Sequence, residues 1–379
     1  MRLSIENRCT DFNSYRAARV KSLFNAETGA NFRLDVDLPI DDADWRIGVV
    51  VGPSGSGKTS IGRRIFGAEA FYEPAGWRDD APIVDCIAPE GDFNEVTGAL
   101  AAVGLGTVPA WLRPYGVLSN GEKFRADLAR IVSEKPARVV VDEFTSVVDR
   151  QIAQVGALAF QKSWRRTGGQ AVLLSCHYDI LDWLEPDWVF DTRSGEFQRG
   201  SLWRRPRLEL EVHETNAAFW PLFEPHHYLK LPLMVAARYF VGFINGEPVI
   251  HLGVAPRLEI GAVRACRMVV MPEWQGAGIG LRFLNLICER EVRGQGYYGD
   301  RVSSVYFHTS HPGLCQALRR DKHWAQVSAA LYGGNKSKSA KSINRSAIKA
   351  GRKPLQSGYG GHFRAVQGFR FTLPKEVAA

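Results

Sequence analysis

At 379 residues the chain is longer than one ordinary domain, and about two are expected. It is 45% hydrophobic and 23% charged, as a water-soluble globular protein is, with no apolar run near the roughly 18–20 residues that span a bilayer. Its formal net charge of +8 is concentrated: residues 322–375 hold eleven Lys/Arg and no Asp/Glu, so the rest of the chain is slightly acidic.

The N-terminus, MRLSIENRCTDF, lacks the apolar core of a secretion signal, so a cytoplasmic, membrane-free protein is expected. Six scattered cysteines, with no C-x-x-C pair, favour free thiols over disulfides or a zinc site.

In chain order, Ile47–Val51 reads as a buried strand. It runs into Gly52-Pro53-Ser54-Gly55-Ser56-Gly57-Lys58-Thr59, followed by Ser60, which matches G-x-x-x-x-G-K-[ST] in full. Such glycines let backbone N–H groups turn onto phosphate oxygens. Lys58 then reaches the β- and γ-phosphates and the Thr59 hydroxyl binds Mg²⁺. Next comes Leu118-Ser119-Asn120-Gly121-Glu122, opening a helix predicted through Val132. A β-branched strand, Val139–Val141, ends in Asp142 and Glu143, acids placed to hold magnesium and activate water. Ser146-Val147-Val148-Asp149 comes after it, and a further apolar strand, Ala171–Ser175, ends at His177.

This ordered set resembles the ABC-type ATPases, with LSNGE in the place of that family's LSGGQ-like signature. The resemblance implies ATP and Mg²⁺ as ligands. It gives phosphate and metal binding to Lys58 and Thr59, metal binding to Asp142, polarisation of the attacking water to Glu143, and a γ-phosphate contact to His177. Ser119 and Gly121 would complete the site of a second subunit, with Asp149 at the seam, so a nucleotide-bound homodimer is expected. No glutamine lies between Thr59 and Arg150, so the family's Q-loop glutamine has no match. The interval from Lys58 to Ser119 also looks short for the family. No long heptad arm interrupts the domain, which favours a soluble ATPase over a transporter subunit or a chromosome clamp.

The basic, proline-containing stretch Arg199–Arg207 marks a linker near residue 205. Beyond it, Arg238–Ile244, Asn245-Gly246 and Glu247–Gly253 predict a hairpin with a type I′ turn. A strand over Ala262–Met271 enters Gln275-Gly276-Ala277-Gly278-Ile279-Gly280, and a helix is predicted over Ile279–Arg290. A strand at Ser303–His308 and a helix at Pro312–Arg320 come next. The second glycine loop again offers helix-start N–H groups, but without a Lys-Ser/Thr pair. A pyrophosphate-bearing donor such as acetyl-CoA therefore fits it better than a triphosphate with Mg²⁺.

The loop and the element order resemble GNAT-type acyltransferases. The whole chain resembles predicted ABC ATPases fused to an acetyltransferase domain. The HHYL at 226–229 and RMVVMPEWQGAGIG resemble Mom-type phage DNA-modification proteins. The expected fold is thus α/β: a P-loop ABC-type ATPase domain over 1–205, then an α+β GNAT-like domain over 206–379 with a basic segment at 333–354.

Candidate bases for deprotonating an amine acceptor are His226, His227, His308 and His311, and candidate acids are Tyr228, Tyr306 and Tyr332. A backbone N–H near Val270 or Met271 is placed to polarise the acyl carbonyl, and Cys315 is a remote candidate for a covalent carrier. The functions left open are ATP-dependent acyl transfer to nucleic acid (DNA before RNA), acyl transfer to a protein amine, and a non-catalytic nucleic-acid clamp. The basic segment favours the first through counterion release on phosphates.

Overall fold

The computed structural model describes residues 2–7, 12, 14–24, 32–74, 76–200, 203–229, 234, 236–330, 344–345, 348 and 365–373. Nearly all of the basic segment 333–354, together with Tyr332, lies outside the described residues. Strands β1 (Arg2–Asn7) and β2 (Phe32–Asp37) pair as an antiparallel ribbon, with α1 (Tyr15–Phe24) between them in sequence. β3 (Ile47–Val51) leads into α2 (Lys58–Phe66). A helical stretch comes next: α3 (Ile83–Cys86), α4 (Phe93–Ala102), α5 (Val108–Trp111) and α6 (Asn120–Glu134). Then come β4 (Arg138–Val141), α7 (Arg150–Trp164), β5 (Gln170–Ser175), α8 (Leu181–Leu184), β6 (Trp188–Asp191) and β7 (Glu196–Arg199).

The remainder begins with β8 (Glu211–Thr215), α9 (Trp220–Phe223), β9 (Arg238–Ile244), β10 (Glu247–Arg257) and β11 (Ala262–Val270). It continues with α10 (Ile279–Val292), β12 (Val305–Thr309), α11 (Pro312–Arg320), β13 (Trp324–Ala330) and β14 (Val366–Phe371).

The chain divides into two compact units: Met1–Gly76 with Glu134–Pro206, and Trp77–Ser133 with Arg207–Ala379. The stretch 77–133, assigned by sequence to the first domain, thus groups with the C-terminal part.

The first unit is built on a five-stranded sheet in the order β4-β5-β3-β6-β7, parallel except for β7. Every residue of β3 is buried, which is why it reads as an unbroken apolar run. Ile61 of α2 packs under this sheet with Val50, Val140, Val172, Leu174, Trp188 and Phe190. The carboxyl ends of β3, β4 and β5 lie side by side, the edge at which open parallel sheets take their ligands.

The second unit carries a seven-stranded sheet in the order β13-β14-β12-β11-β10-β9-β8. All its pairings are antiparallel except β11 with β12. The β9–β10 turn puts Asn245 at φ 52° and Gly246 at φ 80°, as a type I′ turn demands. In the same unit α4 packs on α11. Small residues allow it: Gly98 lies against Gln316, and a Cβ on Gly313 would overlap the Ala101 methyl. This close crossing, which no single-helix periodicity encodes, explains why 77–133 joins the C-terminal unit.

Glycine-to-alanine changes inside a helix ordinarily stabilise by about 1 kcal/mol. Gly313→Ala is expected to do the reverse, lowering stability by about 1–3 kcal/mol because the Ala101 methyl cannot move out of its way. Thermal unfolding of the two proteins checks the sign.

Candidate functional site

In the first glycine loop the chain enters α2 through Gly57, held in the left-handed region at φ 86°, ψ 11°. The Lys58 ammonium donates to the carbonyls of Gly52 and Pro53, both at 2.8 Å, which folds it along the loop. The Thr59 hydroxyl donates to Asp142 Oδ2 at 2.8 Å. Sequence-distant Thr59 and Asp142 are therefore already adjacent, and a hydroxyl beside a carboxylate is a hard-oxygen pair that suits Mg²⁺.

Beyond β4, Glu143 is exposed and sits at φ 49°, and buried Thr145 at φ 72°. Positive φ at a β-branched residue is a true outlier. It is fixed by ties to β5: the Phe144 N–H donates to Leu174 O at 2.8 Å, and the Ser175 hydroxyl donates to Phe144 O at 3.0 Å. His177, whose N–H donates to Ser175 Oγ at 3.1 Å, has Nδ1 3.4 Å from Thr145 Oγ1. Burial, then repulsion from Arg150, depresses its pKa and keeps the imidazole neutral near pH 7. Asp149 caps α7 by accepting from the Ile152 N–H at 2.9 Å.

The signature residues open α6 with a reciprocal cap. The Ser119 N–H and hydroxyl both donate to Glu122 Oε2 at 2.9 Å, and the Glu122 N–H lies 3.3 Å from Ser119 Oγ. S-x-x-E here is a capping box, a signal present in the sequence. Ser119 is exposed and Gly121 partly so.

In the second unit the chain enters α10 through Gly278 at φ 82°, ψ 15°, close to the backbone conformation of Gly57. Gly276 is also left-handed, at φ 98°. The Ala277 N–H turns back to Trp274 O at 3.2 Å, and Gly280 packs near Val270 and Met268. The Gln275 side chain does not face a ligand: it accepts from the Gly106 N–H at 2.9 Å and donates to Val270 O at 3.1 Å. The Met271 N–H donates to Val249 O at 2.9 Å, so it is not available to an acyl carbonyl. Strand alternation turns the Val270 N–H the opposite way, towards the β12 side. There the β11–β12 ladder ends at Ala265↔Phe307, while β11 runs on to Val270. A bulge with Arg267 at φ 51° separates the part of β11 that pairs with β12 from the part that runs beyond that ladder.

His227 is buried, with Nδ1 2.8 Å from Leu229 O, and stacks on Tyr228 at 5.1 Å between ring centroids. His226 ends a short turn and is half-buried. The structure adds a residue that sequence reading missed. His251 of β10 is fully buried, with Nδ1 3.1 Å from Arg267 O, among the rings of Trp220, Phe223 and Tyr239. Burial lowers its pKa to about 4. Trp220 also meets His227 edge-on, so the two histidines share one aromatic neighbour.

Other candidates find structural employment. His311 caps α11, accepting from the Leu314 N–H at 3.3 Å, and its Nε2–H donates to Gly106 O at 3.1 Å, so it is not free to act as a base. Cys315 is 1% exposed, with its thiol pushed up by burial, and cannot serve as an acyl carrier. His308 is half-buried beside Arg264 and Arg257, and its pKa falls to about 4. Arg257 lies over the Tyr306 ring at 5.2 Å. The described cysteines are all free. Among the described residues no cluster of three or more metal-ligating side chains occurs, and no helix is long and apolar enough to cross a membrane.

No protein-family model matches the chain. It is 33% identical over 171 residues to the zinc import ATP-binding protein ZnuC of Jannaschia sp. (strain CCS1), a match covering 39% of this chain and 68% of that protein. It is 28% identical over 166 residues to the cytochrome c biogenesis ATP-binding export protein CcmA of Rhodospirillum rubrum, covering 35% and 68%. A solved bacterial ABC transporter cassette, described as dimeric, aligns with 45% of this chain and 92% of its own at 13% identity and a TM-score of 0.36.

Folded His251 refuses a proton that the unfolded chain accepts between its ordinary pKa of 6.5 and about 4. Stability should therefore be level above that window and fall as pH drops through it. His251→Phe is expected to flatten this decline by about one proton per molecule. Denaturant midpoints at pH 7, 6 and 5 measure it, and equal slopes for both proteins would contradict the assignment.

Proposed function

Because the chain belongs to the ABC ATPase family, by its 33% identity over 171 residues to a zinc import ATP-binding protein, we propose that ATP use by its P-loop domain serves a second, acyl-transferring domain that modifies an amine on nucleic acid. The ATP-binding half rests on the relatives and on its motif. Lys58 and the first N–H groups of α2 hold phosphate, Thr59 and Asp142 hold Mg²⁺, and Glu143 orients the attacking water. Neutral His177 donates a ring N–H to a γ-phosphate oxygen. Ser119 and Gly121 act on the nucleotide of a second copy, which makes the active form a homodimer.

The observation that carries the transferase reading is the parting of β11 from β12. Parallel pairing stops at Ala265↔Phe307, and β11 continues past the Arg267 bulge into the Gly276–Gly280 loop. A strand that runs beyond its β12 ladder, among the described residues, and leads to a helix start suits a donor that has both an extended amide arm and a pyrophosphate. β9, β10, β11, α10, β12 and α11 follow in the element order on which the GNAT resemblance rests. The donor, an acyl-CoA, supplies an activated thioester. The Val270 N–H is placed to polarise its carbonyl, and the helix-start N–H groups of Gly278, Ile279 and Gly280 face its phosphates. His227 and Tyr228 are the proton-handling pair, with His226 beside them.

The acceptor rests on charge. The eleven cations of 322–375, unopposed by any acid, suit a phosphate backbone. Extracting a base from its stack costs a few kcal/mol, which gives ATP-driven closure a task.

Mass spectrometry of nucleosides from cells expressing the parent, Lys58→Ala, or Gly278→Glu with Gly280→Glu tests the reading. A mass-shifted nucleoside is expected with the parent alone. Unmodified nucleosides together with acyl-lysine on a co-purifying protein would move the acceptor to protein. In parallel, Glu143→Gln should retain ATP binding, slow hydrolysis by about 10²–10⁴-fold and sediment as a dimer with Mg-ATP. A monomer under those conditions would argue against the homodimer.

A further inference from the structure

Gln275 and Arg125 join two segments that their motifs assign to different chemistries. Within the second unit, Arg125 on the second turn of α6 is 4% exposed. Its guanidinium donates to Pro272 O at 2.6 Å, Gly104 O at 3.1 Å and Glu273 O at 3.5 Å. Gln275 clamps the same place from the loop side through the Gly106 N–H and Val270 O. A Cβ on Gly104 would overlap the Gln275 carbonyl, so the two backbones meet directly. His311 closes the contact on Gly106 O, with the edge of Trp111 at 5.4 Å.

A buried guanidinium is tolerable only while carbonyls surround it. If residues 272–275 moved away from α6, Arg125 would lose its bonds to Pro272 O and Glu273 O, and so the loop moves with the helix. One turn earlier, the start of α6 is held by its capping box, in which Glu122 occupies both Ser119 donors. A phosphate engaging Ser119 must displace that carboxylate, and this gives the helix start two alternative states.

We propose that Arg125 and Gln275 make the second glycine loop an extension of the signature helix, so that nucleotide engagement at Ser119 sets the geometry of the donor loop. The inference rests on the nucleotide and donor readings above. It assigns regulation of the donor site to a positioning pair, one residue of which lies in the helical insertion 77–133. Coupling between sites is reciprocal, so ATP and donor should each raise the affinity of the other by the same factor, typically about 5–150-fold.

The test uses the full chain carrying Glu143→Gln, with hydrogen exchange followed in the segments 52–60 and 270–281 with and without Mg-ATP. Both segments are expected to change on ATP addition. In Arg125→Met, which keeps most of the side-chain volume, and in Gln275→Leu, segment 52–60 should still respond while 270–281 does not. A 270–281 segment indifferent to ATP in the parent, or still responsive in both variants, overturns the inference. Failure of 52–60 to respond overturns the nucleotide reading instead. Titration with coenzyme A then separates the donor reading. An ATP-dependent affinity that loses its dependence in the variants supports both, whereas coenzyme A that never binds removes the donor reading and leaves the exchange result to decide the coupling.

Discussion

A helix can offer its first N–H groups to an anion only if the chain turns into it with no side chain in the way. Gly57 and Gly278 meet this constraint with nearly the same backbone, φ 86°, ψ 11° and φ 82°, ψ 15°. The residues next in the chain set the chemistry. After Gly57 come Lys58 and Thr59, and the latter is already bonded to Asp142. After Gly278 come Ile279, which is buried, and Gly280, which packs by Val270 and Met268. The first turn adds charge and a metal-binding oxygen, whereas the second adds only packing. One backbone device thus opens both helices, and only the first adds the charge and hard oxygens that suit a triphosphate with Mg²⁺.

The acid-bearing edge of the first unit stores strain. Glu143 and Thr145 both hold positive φ, at about 1–3 kcal/mol each. Burial of Phe144 and its two ties to β5 over-determine the turn. The result is that Glu143 projects into solvent while Thr145 is turned inward beside His177. Burial is the chief cause that lowers the imidazole's pKa from its ordinary value, with Arg150 adding to it.

Sequence made the local rules legible. Runs such as Ile47–Val51 gave the parallel strands, Asn245-Gly246 the hairpin, and Pro312 the start of α11. What it hid was tertiary. The allegiance of 77–133 depends on Gly98, Ala101 and Gly313 meeting across two helices, and small residues carry no periodic signal of their own. His251 was missed because EPVIHLGV reads as a strand with one polar interruption. Burial among Trp220, Phe223 and Tyr239 comes from elements distant in sequence. His311 looked like a base beside a cofactor loop. It precedes Pro312 as a helix cap does, and that local signal outweighs the chemical one.

The chemical type of the Arg125 contact matters for what it can transmit. A guanidinium caged by three carbonyls has directional bonds, and each one lost leaves a buried donor unsatisfied at about 1–3 kcal/mol. Moving the loop off α6 therefore costs energy at each bond broken. The same holds at Ser119, where one carboxylate satisfies two donors at once. Directional contacts thus hold α6 both at its first turn, through Ser119 and Glu122, and at its second, through Arg125. No glutamine lies between Thr59 and Arg150; the directional contacts of this stretch with residues 272–275 run instead from Arg125 of α6 and to Gly106 from Gln275.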